Sequence, residues 1–214
     1  MAQHSATSIE GPAGNLEVVL EVADGDGPLV DGRYCAVICH PHPLYGGTMD
    51  NKVVTTLARI YRELGVPVAR FNFRGVGGSM GSHDNANGEV DDLCAVALWL
   101  GAQYPQAKML VCGYSFGSVV AAAGSGRVGA SHMVLIAPPV ERYAMGSEGY
   151  FDCPAVIFLG AEDELVDAEK ARKWAVQLTS PTAIVTVPGA SHFFHGQLAT
   201  LREQLSPLLL AALR

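Results

Sequence analysis

The sequence has no CxxC pair, no cluster of basic residues and no apolar run long enough to cross a membrane. Each absence removes a class of function. The five cysteines, at positions 35, 39, 94, 112 and 153, are odd in number and sit in apolar segments. Cysteines of that kind behave as small buried hydrophobes in a reducing compartment. The densest basic stretch, 168–174, holds Lys170, Arg172 and Lys173 beside Glu169, and 14 Lys+Arg face 21 Asp+Glu for a net charge of −7. A surface of that sign repels phosphate backbones, so no nucleic-acid partner is expected. Apolar runs such as 93–100 fall far short of the ~18–20 residues of a membrane span. The first residues, Met-Ala-Gln-His-Ser-Ala-Thr-Ser, carry neither the basic nor the apolar part of a secretion signal. A soluble cytoplasmic protein without a membrane partner is the expectation. Disorder and collagen-like structure are also excluded, because 49% of residues are hydrophobic, 16% are charged, and Gly and Pro follow no period.

What is there is an alternation. Short apolar runs at 16–22, 36–39, 68–73, 109–112, 133–136, 155–159 and 183–187 read as strands. Between and after them, helical spacing predicts helices over 51–64, 89–100, 117–123, 168–178 and 197–213. Continuous Val/Ile/Leu strands separated by helices predict an α/β fold, with a mostly parallel central sheet covered by helices on both faces. No linker or repeat divides the chain, so 1–214 reads as a single domain. The stretch 205–213 is apolar enough to be either core or interface, and the oligomeric state stays open. In such sheets ligands gather at the carboxyl ends of the strands. Histidines 40, 42 and 192, Ser115 and Asp163 all follow a predicted strand.

The pattern G-x-S-x-G occurs twice, around Ser79 and around Ser115. Only Ser115 stands between a strand pattern (Met-Leu-Val-Cys) and a small-residue helix pattern (Val-Val-Ala-Ala-Ala), as a nucleophile elbow requires. Ser79 is followed by Gly-Ser-His-Asp-Asn-Ala-Asn-Gly and reads as a flexible loop. A serine hydroxyl needs a base, and the base needs a carboxylate to orient it. Elbow enzymes order these residues Ser, acid, His. Of the downstream histidines, His132 precedes its strand and lies at the wrong end of the sheet. His195 is expected to enter the last helix, which leaves His192 as the stronger candidate. The acid comes from the run Glu162-Asp163-Glu164 after the strand 155–159, with Asp167 as a further alternate.

Taken together, these residues resemble the α/β-hydrolase superfamily over nearly the whole chain. More narrowly, the chain resembles the small lidless bacterial serine hydrolases and esterases, with dienelactone-hydrolase-like relatives. The segments that carry the resemblance are His40-Pro-His-Pro-Leu-Tyr-Gly-Gly-Thr-Met-Asp-Asn-Lys52, Phe73-Arg-Gly-Val-Gly-Gly-Ser79, Gly113-Tyr-Ser-Phe-Gly117 and the Asp163 and His192 turns. The resemblance implies Ser115 as nucleophile, Asp163 as orienting acid and His192 as general base, with no cap domain and no cofactor. Dienelactone hydrolases use cysteine where this chain has Ser115, which argues against their chemistry.

An oxyanion hole in this fold takes the N–H after the nucleophile, here Phe116, and a second N–H from the loop after an early strand. Pro41 and Pro43 have no N–H to give. His42 is favoured by loop length, Leu44 stays open, and Tyr45 is more distant. A metal pair at His40 and His42 lacks a carboxylate or thiolate at ligand spacing, so no metal is expected. The loop 74–81 fails as a dinucleotide fingerprint because Met80 stands where a third glycine belongs, and no GxxxxGK occurs. Its glycines are expected to pass close to the mouth of the site, with Arg74 pairing to a carboxylate to hold the loop. Only 137–153 separates the strand after the nucleophile helix from the acid strand, too little for a helical cap. The expectation is a shallow cleft lined by Leu44, Tyr45, Phe116, Val166, Phe193 and Phe194, and hydrolysis of a small carboxylic ester as partner molecule. Thioesterase, small-peptidase or perhydrolase activity would use the same residues. A non-catalytic interaction module on the same fold is the alternative from a different class.

Overall fold

The strands are buried on both faces because their side chains alternate between two apolar layers. In β3 (Tyr34–Cys39), Cys35, Val37 and Cys39 enter one layer while Tyr34, Ala36 and Ile38 enter the other. The computed structural model describes residues 4–145, 151–180 and 182–214. Its sheet contains β1 (His4–Ile9), β2 (Leu16–Glu21), β3, β4 (Val68–Phe71), β5 (Lys108–Tyr114), β6 (His132–Ile136), β7 (Ala155–Gly160) and β8 (Thr182–Val187). Their spatial order is β1-β2-β4-β3-β5-β6-β7-β8. From β4 to β8 every pairing is parallel, whereas β1 and β2 are antiparallel to their neighbours.

The helices are α1 (Lys52–Glu63), α2 (Asn87–Gln103), α3 (Phe116–Gly124), α4 (Ala168–Ala175) and α5 (Leu198–Leu213). One layer is filled by Val90, Leu93 and Val96 of α2, Val119 and Val120 of α3, and Ala171 and Ala175 of α4. The other is filled by Val54, Leu57 and Tyr61 of α1 and by Leu201, Leu205, Leu209 and Leu213 of α5. Leucines four apart share one helix face, so Leu205, Leu209 and Leu213 of the apolar stretch 205–213 belong to the core, while Pro207, Ala211 and Ala212 are exposed. The predicted elements are all present, with boundaries shifted by a few residues. Strand β1 had no counterpart in the sequence reading: Ala6, Thr7 and Ser8 are exposed at the sheet edge, so no hydrophobic pattern marks it.

Two buried polar arrangements fix the loop after β4. Ser79 Oγ donates to the Asn72 carbonyl at 2.6 Å and accepts the Glu17 N–H at 2.9 Å. The Glu17 carboxylate in turn accepts from the Gly78 N–H and the Asn72 side chain, at 2.8 and 2.7 Å. The expectation of a flexible loop at Ser79 is therefore corrected: this serine is a buried staple between distant segments. Arg74 grips Asp92 through its guanidinium at 2.8 Å and its backbone N–H at 3.0 Å, as expected of a loop-holding pair. The loop's glycines are not among the residues lining the cleft; a Cβ on Gly77, Gly78 or Gly81 would meet Asn72, Glu17 or Ala13.

Replacing Ser79 by Ala leaves a buried carbonyl and a buried N–H without partners, a loss of about 1–3 kcal/mol. Urea denaturation of Ser79→Ala should show a lower midpoint at unchanged slope. An unaltered midpoint would mean that the staple contributes nothing.

Candidate active site

The site begins with the turn from β5 into α3. A Cβ on Gly113 would stand 2.1 Å from the Gly117 carbonyl oxygen, and one on Gly117 would stand 2.2 Å from that of Cys39. Only glycine fits at either position, so α3 can start directly against β3 and β5. The residue between them, Ser115, is forced to φ 53° and ψ −121°, a conformation that side-chain-bearing residues rarely hold without compensation. Compensation comes from the Ser115 N–H to the Ile136 carbonyl at 2.8 Å and from Ser118, whose Oγ and N–H bind the Ser115 carbonyl at 2.5 and 2.8 Å. The Ser115 hydroxyl is thereby presented at the carboxyl end of the sheet.

His192 reaches it from the loop after β8. Its Nε2 lies 3.0 Å from Ser115 Oγ and its Nδ1 lies 2.8 Å from Asp163 Oδ2. Asp163 follows β7, and its other oxygen accepts the Leu165 and Val166 N–H groups at 2.8 and 2.7 Å. An ionised carboxylate only accepts, so Nδ1 carries the proton and Nε2 offers its lone pair to the serine hydroxyl. The His192 backbone is held at both ends: the Tyr114 hydroxyl donates to its carbonyl at 2.9 Å and its N–H donates to Glu164 at 3.0 Å. With side chains only 4% and 2% exposed, His192 and Asp163 are shielded from competing water.

The other acid candidates have other tasks. Glu164 binds the His192 amide, Asp167 caps α4 through the Glu169 and Lys170 N–H groups, and Glu162 points to solvent. His132 lies at the start of β6, as expected. His195 does not enter α5, which begins at Leu198; it sits exposed in the preceding loop, stacked on Phe193.

The loop after β3 places His40 and His42 differently. His40 is buried, with Nε2 accepting the Phe73 N–H at 3.0 Å and Nδ1 donating to the Pro41 carbonyl at 2.6 Å. Both ring nitrogens are occupied, so His40 has no lone pair for a metal. Among the described residues no group of three or more His, Cys, Asp or Glu could hold one. The His42 ring lines the cleft, and burial and the neighbouring His83 lower its pKa. Its Nδ1 accepts the Leu44 N–H at 3.2 Å, and its carbonyl accepts the Tyr45 N–H at 3.1 Å. Of the loop amides considered for an oxyanion hole, that of His42 has no partner among the described residues, nor has that of Phe116. The rings of these two residues pack with centroids 4.8 Å apart.

Behind them stands a pair that the sequence reading missed. His83 Nδ1 lies 2.8 Å from Glu89, a fully buried carboxylate that also accepts the Asp84 and Ala86 N–H groups, each at 2.9 Å. It holds the His83 ring against His42 and Phe116, at 4.9 and 5.4 Å.

The cleft above Ser115 has a volume of about 340 Å³. Tyr45, Phe116, Val166 and Phe193 line it as expected. Leu44 and Phe194 do not: Leu44 turns outward, 70% exposed, and Phe194 is buried in the layer between α1, α5 and the sheet. Pro139, Arg142, Tyr143 and Leu165 line it instead. The first three belong to the segment read only as too short for a cap, of which 146–150 lies outside the described residues. The rule that loops at the carboxyl ends of strands line the site was the available signal.

No protein-family model matches the chain. A crystal structure from Xanthomonas campestris, described as an α/β serine hydrolase without a lid, superposes with a TM-score of 0.91 at 37% identity, covering 98% of this chain and 94% of the other. An α/β serine hydrolase homologue from Coxiella burnetii gives 0.90 at 42% identity, covering 96% and 97%. The chain belongs to the α/β-hydrolase superfamily. An uncharacterized protein of Rickettsia prowazekii is 33% identical over 85% of this chain and 84% of its own length. The neighbours' names support a hydrolase on this fold. Among the described residues of this α/β-hydrolase, no helix is long and apolar enough to cross a membrane.

Burial also leaves a pH signature. His40 and His132 are each pushed down to about 4 from 6.5. As pH falls, the unfolded chain takes up protons at these sites before the folded one does. Their contribution to stability is complete above 6.5 and is lost as pH falls through the window toward 4, ~2 kcal/mol per histidine by about pH 5. Urea titrations at neutral pH and near pH 5 should show this loss, smaller in His132→Gln. A loss of the same size in His132→Gln would contradict the assignment.

Proposed function

We propose that the protein is a serine hydrolase that cleaves small carboxylic esters through a covalent acyl-enzyme. The observation that carries this reading is the unbroken chain Ser115 Oγ to His192 to Asp163, with contacts of 3.0 and 2.8 Å, closed on the acid side by two backbone N–H groups. His192 Nε2 takes the Ser115 proton as Oγ attacks the ester carbonyl carbon. Asp163 holds the ring in the correct tautomer and balances the imidazolium that forms. The free N–H groups of Phe116 and His42 receive the oxyanion, where each such donor is worth about 3–4 kcal/mol to the transition state. His192 then gives its proton to the departing alkoxide. Water repeats the sequence on the acyl group, releasing the acid and restoring Ser115.

The substrate is a small molecule. A cleft of about 340 Å³ at the low end of ligand-site volumes suits short acyl chains. The five unpaired cysteines, four of them buried, suit the reducing conditions of a cytoplasm. The strain held at Ser115 favours catalysis over a silent interaction module, because a binding surface has no need of a strained serine aimed at a histidine.

Ser115→Ala should lower ester turnover by at least about 10³-fold, and Asp163→Asn by about 10⁴-fold, since the amide favours the wrong His192 tautomer. Both variants should fold normally by circular dichroism. Turnover retained in Ser115→Ala would remove the proposal. Across p-nitrophenyl esters, acetate and butyrate should be cleaved faster than palmitate. The reverse order would contradict the size argument.

A further inference from the structure

Arginines in this chain are generally occupied. Arg33, Arg59, Arg62, Arg70, Arg74, Arg127 and Arg202 each pair with a carboxylate. Arg142, Arg172 and Arg214 pair with none among the described residues, and of these three only Arg142, an exposed side chain, lines the cleft above Ser115. Its sequence neighbour Glu141 is turned away, bound to Lys170 Nζ at 2.5 Å. No Asp or Glu is found among the described residues lining the cleft. The nearby acids are engaged elsewhere, Asp163 with the His192 ring and Glu164 with the His192 amide. In a chain of net charge −7, the described wall of this cleft therefore carries a permanent positive charge and, among the described residues, no compensating negative one.

A guanidinium left unpaired at a binding site is suited to a planar oxyanion. Its fork of N–H donors matches a carboxylate in two parallel hydrogen bonds. The negative field of the whole chain weakens the approach of anions in general, so an anionic substrate is favoured only where it reaches such a local partner. We propose that Arg142 binds a free carboxylate on the substrate, so that the preferred substrates are small esters that also carry a carboxylate. This rests on the ester-hydrolase reading of the same cleft. The carboxylate makes and breaks no bond: the ester is cleaved at Ser115 as described above, while the second group holds the molecule in place. The acyl chain in such a substrate is short, because ester and carboxylate must share about 340 Å³.

The test uses 4-acetoxybenzoate and its neutral counterpart 4-acetoxybenzamide, which are nearly equal in shape. Binding is measured by calorimetry on Ser115→Ala, where neither is consumed, so the readout does not depend on turnover. At low salt the anion should bind up to about fivefold more tightly than the amide, the upper end of the gain from an exposed ion pair. The gap should close in Ser115→Ala/Arg142→Gln, reopen in part in Ser115→Ala/Arg142→Lys, and shrink with added salt. In the wild-type enzyme the ratio of kcat/KM for the two esters should fall by a similar factor on Arg142→Gln. Equal binding of the two probes, no detectable binding of the anion, or a gap that survives Arg142→Gln would overturn the proposal. A wild-type protein that binds the anion through Arg142 yet cleaves neither ester would leave this inference standing and remove the hydrolase reading instead.

Discussion

The structure depends most on one close approach, that of the start of α3 to the ends of β3 and β5. It is possible only because Gly113 and Gly117 have no side chains, and it leaves Ser115 no room for an ordinary backbone conformation. Three consequences follow from the same geometry. The serine hydroxyl projects beyond the sheet, the Phe116 N–H becomes a free donor at a helix start, and the loop after β3 is drawn to the same spot. Hydrogen bonds from Ser118 and to Ile136 offset the strain.

Around that turn, each site residue is held by groups beyond its immediate partner. Asp163 is oriented by two amides, His192 by the Tyr114 hydroxyl and the Glu164 carboxylate, and His40 by the Phe73 amide. Buried Glu89 supports His83, which in turn packs on the His42 and Phe116 rings. Such support keeps donors and acceptors aimed before a substrate arrives, which is the condition for electrostatic preorganisation.

Much of this was legible in the sequence. The parallel sheet shows in its continuous Val/Ile/Leu strands, and Ser115 and His192 stand out because each follows a strand in the order the chemistry needs. Asp163 was less distinct: three adjacent carboxylates look alike in sequence, and only the turn that bonds Oδ1 to the Leu165 and Val166 amides separates them. Other features left no local trace. The edge strand β1 is polar, and the staple at Ser79 depends on Glu17, far away in the chain. Loop length favours His42, but Leu44, and more distantly Tyr45, stay open as donors until the 3₁₀ turn Pro43–Tyr45 shows that their N–H groups are already used. Arg142 and Tyr143 lie in an irregular segment, where no periodicity tells an exposed residue from one that lines a cleft.

The central claim is that Ser115 is an activated nucleophile. Fluorophosphonate labelling followed by peptide mapping tests it without knowledge of the substrate. The account predicts a single label on Ser115 in the wild-type protein, absent from Ser115→Ala and strongly reduced in His192→Ala. No label on the folded protein, or a label placed on another residue, would contradict it.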